Sequence, residues 1–226
     1  MPTLIKICGI RRSQDVDYIN EFLPDYIGFI FWEKSFRYVT LKQALELRRQ
    51  TNPRIPAVGV FVNEVPEKIA ECVQSGAIQI VQLHGQETEE DIAKARALLP
   101  GVPVWKAFKV RSIEDLMRAQ ASTADRILLD NGYGTGQCFD HSLLAKFEGE
   151  GFHEKEQPGD QPDASDPEGQ RFTRPYILAG GLTPQNIPDV IMKYHPSMVD
   201  ISSGVETDKC KDRDKIRAAV HAVRKM

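Results

Sequence analysis

Eight short runs rich in Val, Ile and Leu alternate with amphipathic stretches along the whole chain, and that rhythm leaves few folds open. The runs are TLIKICG (3–9), YIGFIF (26–31), AVGVFVN (57–63), IQIVQLHG (78–85), VPVWKAFKV (102–110), RILLDN (126–131), YILAGGL (176–182) and MVDISSG (198–204). Each is near-continuously apolar and ends in polar or glycine residues, as strands buried on both faces in a parallel sheet do. Between them lie helix signals. Ser112 precedes IEDLMRAQ, Thr88 precedes EEDIAKARALL, and Pro66 opens EKIAECVQSG, which stops at Gly76. Thr183 precedes PQNIPDVIMKY, with Pro184 at a first-turn position and Pro188 early enough to leave the later helix intact. The closing DRDKIRAAVHAVRKM runs from acids to bases, which suits a helix dipole. Strand followed by helix, eight times, makes an α/β fold closed as a (β/α)8 TIM barrel the simplest architecture. An open doubly wound sheet is the rival, but ICGIRR after the first strand is no G-x-G-x-x-G phosphate turn.

One segment interrupts the rhythm. Residues 148–170 hold eight acids and one lysine among prolines and glycines, a local charge of −7 that leaves +4 for the rest of a chain whose total is −3. Such a stretch cannot bury enough apolar surface to offset its ordering entropy. The sequence therefore reads as a single domain, 1–226, with an acidic mobile insertion at 148–174 that joins the sixth helix to the seventh strand on the N-terminal face. A tolerated insertion is the plain reading; a partner-binding role is the alternative.

With 226 residues, 41 % of them apolar and 27 % charged, the chain has enough apolar sequence for a sizeable core. Its small net charge gives no reason to expect nucleic acid or an anionic membrane as partner. The amino terminus meets charge too soon for a secretory signal, and YIGFIFW is too short to span a bilayer, so cytoplasmic location is expected. Cys8, Cys72, Cys138 and Cys210 are scattered, with no CxxC pair and no Cys/His cluster. Neither a disulfide framework nor a metal centre is expected.

In this architecture chemistry sits at the C-terminal ends of the strands. The polar residues there are Cys8, the Ser35 and Arg37 pair, Asn63, His84, Lys109 and Asp130. Alternation puts Lys6 and Cys8 on one face, with Lys6 a layer below. Gly180-Gly181 and Ser202-Ser203-Gly204 close the last two strands, the usual phosphate position of the fold, where small residues let backbone N–H groups approach phosphate oxygens. Alone, a GG pair is more often a tight turn.

KICGI (6–10), GFIFWEKSFR (28–37), VGVFVN (58–63), QLHG (82–85), LLDNGYGTGQCFD (128–140), LAGGLTPQNI (178–187) and VDISSGVE (199–206) occur in family order over nearly the whole chain. Together they resemble the phosphoribosylanthranilate isomerases of tryptophan biosynthesis, cofactor-free barrels of the ribulose-phosphate-binding type. The resemblance implies an Amadori rearrangement of N-(5-phosphoribosyl)anthranilate to 1-(o-carboxyphenylamino)-1-deoxyribulose 5-phosphate. It makes Asp130 the general acid for the ribose ring oxygen and Cys8 the base for the adjacent carbon. Arg37 would receive the anthranilate carboxylate through paired hydrogen bonds. His84 would line the substrate site, and Gly180, Gly181, Ser202, Ser203 and Gly204 would hold the phosphate. The partner implied is a small phosphorylated substrate, with the enzyme a monomer or homodimer.

Each residue also has a bland reading: an inert core thiol for Cys8, a loop cap for Asp130, a solvated charge for Arg37, a structural ring for His84. Position and motif favour the chemical ones for the first three. Burial should raise the Asp130 pKa and a positive neighbourhood should favour the Cys8 thiolate. The family's Ser-Pro-Arg is Ser35-Phe36-Arg37 here, so Phe36 either stacks on the anthranilate ring or packs nearby. GYGTG (132–136) reads equally as a closing loop or a turn. Two rivals stand: a histidine-pathway sugar isomerase of the same barrel group, which uses two aspartates, and a non-catalytic barrel that binds a phosphorylated ligand.

Overall fold

The computed structural model describes residues 2–130 and 174–226. Eight parallel strands close in sequence order: β1 Leu4–Cys8, β2 Tyr26–Ile30, β3 Ala57–Phe61, β4 Ile80–Leu83, β5 Val104–Lys109, β6 Arg126–Asp130, β7 Tyr176–Leu178 and β8 Met198–Ile201. β8 pairs back onto β1 with Lys6 opposite Asp200, so the sheet has no edge and the doubly wound alternative falls. The helices are α1 Ser13–Phe22, α2 Leu41–Gln50, α3 Pro66–Gln74, α4 Glu89–Leu98, α5 Ile113–Ala121, α6 Ile187–Tyr194 and α7 Arg213–Arg224. A short antiparallel pair, β9 Glu206–Thr207 and β10 Cys210–Lys211, follows β8. GYGTG, Cys138 and the acidic stretch up to residue 173 lie outside the described residues. Among the described residues no helix is long and apolar enough to cross a membrane.

The start signals act as their chemistry requires. Thr88 and Ser112 cap α4 and α5, each accepting a backbone N–H while the acid three residues on answers the cap's own N–H. Pro66 stands in the first turn of α3, and Gly76 follows the helix at φ +79°. Asp212 accepts the N–H groups of Asp214 and Lys215 at the start of α7. Thr183 opens the turn that leads into α6: its Oγ accepts the Asn186 N–H at 3.3 Å and its carbonyl accepts the Ile187 N–H at 3.1 Å. The Asn186 side chain answers by accepting the Thr183 N–H at 2.7 Å, and the regular helix α6 follows this turn from Ile187, with Pro188 in its first turn.

Two apolar layers result. The outer one fills the space between sheet and helices around Ile7, Phe29, Phe61, Val81, Leu129 and Ile216. The inner one plugs the barrel with Val58, Ile80, Trp105, Leu128, Ile177 and Met198, against which Leu4 and Tyr26 pack. Above this plug the interior turns polar: Lys6, Gln82 and Asp200 are buried side by side. That layer forms the floor of the C-terminal mouth.

Candidate active site

Cys8 and Asp130, the last residues of β1 and β6, line one cavity of about 450 Å3 at that mouth. Arg37, His84, Gly180, Gly181, Ser202 and Ser203 line it as well, as do Ser35, Asn63 and Lys109. Gly204 is placed differently. A Cβ there would stand 1.9 Å from the Leu182 carbonyl oxygen, so the residue packs the β8 loop against the β7 loop. A second recess of about 500 Å3 opens on the opposite face between Tyr26, Trp105 and Arg126; it holds none of the strand-end groups, and its Arg96 and Asp125 satisfy each other at 2.7 Å.

The thiol is held by its neighbours on both sides. In the β1–β2 register Cys8 lies opposite Gly28, where a Cβ would come within 2.7 Å of Sγ. Only a glycine gives the thiol that room. Below it, the Lys6 ammonium donates to Asp200 Oδ2 at 2.7 Å and to Gln82 Oε1 at 3.0 Å. Burial draws Lys6 down, yet Asp200 and Cys8 hold its pKa above the usual lysine value. The thiol itself does not become acidic. Burial pushes it up, and Asp200 partly cancels the help from Lys6 and Lys211, so the expected lowering by a positive neighbourhood is outweighed. Among the described residues Asp200 Oδ1 is a buried oxygen with no hydrogen-bond partner, and Asp200 lines the cavity.

Asp130 is mostly buried, its side chain 13 % exposed, and meets His84 Nε2 at 3.3 Å. His84 Nδ1 in turn lies 2.9 Å from Gln82 Nε2. One chain thus runs from Asp200 through Lys6, Gln82 and His84 to Asp130.

Arg37 reaches the cavity from the β2 loop, across Gly9, where a Cβ would stand 2.5 Å from Arg37 Cδ. Gly9 also needs its φ of +82°, which accounts for the glycine after KIC. The guanidinium is gripped by Glu206 through two 2.7 Å bonds from Nε and Nη2. Lys211 adds a third contact to Glu206 at 2.8 Å and donates to the Ser202 carbonyl at 2.9 Å. Burial opposes the charge on Glu206, but Arg37 and Lys211 hold its carboxyl below the usual range. Burial draws Lys211 below the usual lysine value. Phe36 stacks on the guanidinium with its ring centroid 4.1 Å from Cζ, whereas Trp32 lines the cavity. Glu206, Lys211, Gln82, Asp200 and Trp32 were not picked out by sequence reasoning. All but Lys211 lie inside motifs quoted for the family, the only signal that pointed to them.

At the far side, Gly180 and Gly181 hold φ of +85° and +66°, a backbone that side chains resist. Their N–H groups have no backbone acceptor among the described residues. Ser202 Oγ donates to the Cys8 carbonyl at 3.0 Å, tying the end of β8 to the end of β1.

A (β/α)8 barrel with a thiol and a carboxyl at opposed strand ends, a gripped arginine and a glycine-serine rim defines an enzyme that moves protons on a small anionic substrate. Comparison with known proteins narrows this. The family model for N-(5'phosphoribosyl)anthranilate (PRA) isomerase matches residues 5–222. The N-(5'-phosphoribosyl)anthranilate isomerase of Acetivibrio thermocellus is 38 % identical over 98 % of this chain and 96 % of its own, and that of Lactiplantibacillus plantarum 40 % identical over 96 % and 90 %. The Thermotoga maritima phosphoribosyl anthranilate isomerase structure superposes with a TM-score of 0.79 at 32 % identity, covering 99 % of this chain and all of that one. The chain belongs to the N-(5'-phosphoribosyl)anthranilate isomerase family, and it is an isomerase of tryptophan biosynthesis.

Proposed function

We propose that this barrel converts N-(5'-phosphoribosyl)anthranilate to 1-(o-carboxyphenylamino)-1-deoxyribulose 5-phosphate with Asp130 as general acid and Cys8 as general base. Asp130 protonates the ribose ring oxygen as the C1–O bond breaks and the amine nitrogen forms a Schiff base. The Cys8 thiolate then takes the proton from C2, and its bonding electrons close an enolamine that tautomerises to the ketone. Arg37 receives the anthranilate carboxylate, with Glu206 and Lys211 setting its plane. Gly180, Gly181, Ser202 and Ser203 receive the phosphate.

The observation that carries this reading is that Cys8 and Asp130, 122 positions apart in sequence, open into the same cavity from opposite sides of the barrel. A related phosphoribosyl anthranilate isomerase has been solved with reduced 1-(o-carboxyphenylamino)-1-deoxyribulose 5-phosphate, at 32 % identity to this chain. The same reading makes the enzyme cytoplasmic, a monomer or a homodimer (the Thermotoga maritima relative is described as dimeric), and leaves the acidic insertion at 148–174 outside the chemistry. The test follows loss of the anthranilate adduct's fluorescence. Cys8→Ala and Asp130→Asn should each lower kcat by about 10²- to 10⁴-fold while product still binds. A Cys8→Ser variant with near-normal turnover would return the chain to the two-aspartate rival.

A further inference from the structure

We propose that His84 is a positioning residue: a hydrogen-bonded chain across the barrel floor fixes its neutral ring as the Nε2–H tautomer, which donates to Asp130 and decides which carboxyl oxygen carries the acid proton. The inference rests on Asp130 being the acid of the mechanism above.

Along this chain the donor and acceptor roles are fixed one after another, starting from Asp200. Asp200 Oδ2 accepts from Lys6 Nζ at 2.7 Å, with the lysine side chain fully buried, and the pairing keeps Lys6 charged. An ammonium only donates. The Gln82 atom 3.0 Å from it is therefore the amide oxygen, whichever way such an amide would otherwise be assigned. That leaves the Gln82 NH2, which also only donates, facing His84 Nδ1 at 2.9 Å. Nδ1 must accept. The proton of the neutral imidazole is then on Nε2, 3.3 Å from Asp130 Oδ2.

This has a consequence for the acid. A carboxylic acid presents one donor oxygen and one acceptor oxygen. With an N–H aimed at Oδ2, that oxygen is the acceptor, and the transferable proton sits on Oδ1. The bond is long for N–H···O and so is weak in itself; its part is orientation. Gln82 is fully buried, so its amide is shielded from solvent in the orientation that Lys6 imposes.

The experiment is a two-bond 15N–1H correlation spectrum of the histidine-labelled full chain, read together with turnover. His84 should show protonated Nε2 and bare Nδ1. Gln82→Glu replaces the donor with an acceptor and should transfer the proton to Nδ1, with kcat falling about 10- to 100-fold and product affinity retained. His84→Gln, whose amide N–H still donates, should recover more of kcat than His84→Leu. A wild-type spectrum with the proton on Nδ1 overturns the inference, and needs no variant to fold. So does a Gln82→Glu enzyme whose proton moves while kcat stays, or a His84→Leu loss that appears in product binding alone. Turnover surviving in Asp130→Asn would overturn the mechanism and the inference with it; an inactive Asp130→Asn beside an Nδ1–H ring would overturn the inference only.

Discussion

Replacing Gly28 with alanine should disable the thiol before it damages the fold. A Cβ at Gly28 would stand 2.7 Å from Cys8 Sγ and 3.2 Å from both Cys8 Cα and Lys6 Cε. Ordinary contact lies near 3.5–4.0 Å, so the sulfur must retreat by about 1 Å. The Cys8 Cα is pinned by the β1–β2 ladder, and the remaining freedom is rotation about Cα–Cβ. Two limits bracket the result. If the thiol stays, overpacking costs about 1–3 kcal/mol of stability. If it rotates, stability is largely spared, but a misplacement of about 1 Å can lower kcat by about 100-fold. Urea unfolding reads the first limit and the fluorescence assay the second. Gly59→Ala is the control, because its Cβ would meet Ile78 Cδ1 at 2.4 Å and Phe61 Cε2 at 2.8 Å on the helix side of the sheet, away from the thiol. It should lose stability and keep the kcat of its folded fraction. A Gly28→Ala enzyme with unchanged kcat would refute the claim that the empty Cβ position holds the thiol in place.

The pH dependence of kcat/KM should carry an alkaline limb above 9.0, because burial pushes the Cys8 thiol up from that value. Carboxyls ordinarily titrate below thiols, so the reactive form, thiolate with protonated acid, is a minor species. The rate is then flat between the two ionisations and falls only above the thiol's own value; a limb below 9.0 would contradict the assignment. Cys72, on the buried face of α3, has its thiol raised from 9.0 to about 11 by burial. A raised folded value means full stability below 9.0 and loss as pH climbs toward 11, amounting to about 2–3 kcal/mol. The stability gap between wild type and Cys72→Ala, followed by urea unfolding, should therefore shift against the wild type by that amount between those limits.

Much of the frame was legible because a buried parallel strand leaves a plain trace. Each apolar run contains its strand, and the polar residues closing the runs at Cys8, His84 and Asp130 are the ones that face the cavity. The helices were less evenly marked. Thr88 and Ser112 carry the side-chain oxygens that caps use, whereas α1 starts behind Arg12 and draws its capping from Asp15, which accepts the N–H groups of Arg11 and Arg12. Thr183 does bond reciprocally with Asn186, its Oγ accepting the Asn186 N–H, and the regular helix follows that turn from Ile187. The networks were not legible at all. Lys6 meets Asp200 across 194 positions and Gln82 across 76, and Arg37 meets Glu206 across 169. Parity along a strand says which face a side chain takes, but only barrel closure says which strand stands opposite.

That closure also bears on why charges occupy the interior. A buried Lys–Asp pair is weak evidence for stability, since a well-packed apolar pair of similar volume is often as stable. The layer beneath this one is such a plug, built from Val58, Leu128, Ile177 and their neighbours. The sequence therefore had an apolar solution available one layer down and did not extend it upward. What the polar layer supplies is contact with the chemistry above it: Lys6 lies under Cys8, and through Gln82 it dictates the direction of every donor as far as Asp130. The two groups to which we assign the acid and base roles are thus both linked to a single buried ammonium. That link to the proposed chemistry, more than the packing of the barrel, accounts for a charge in this layer.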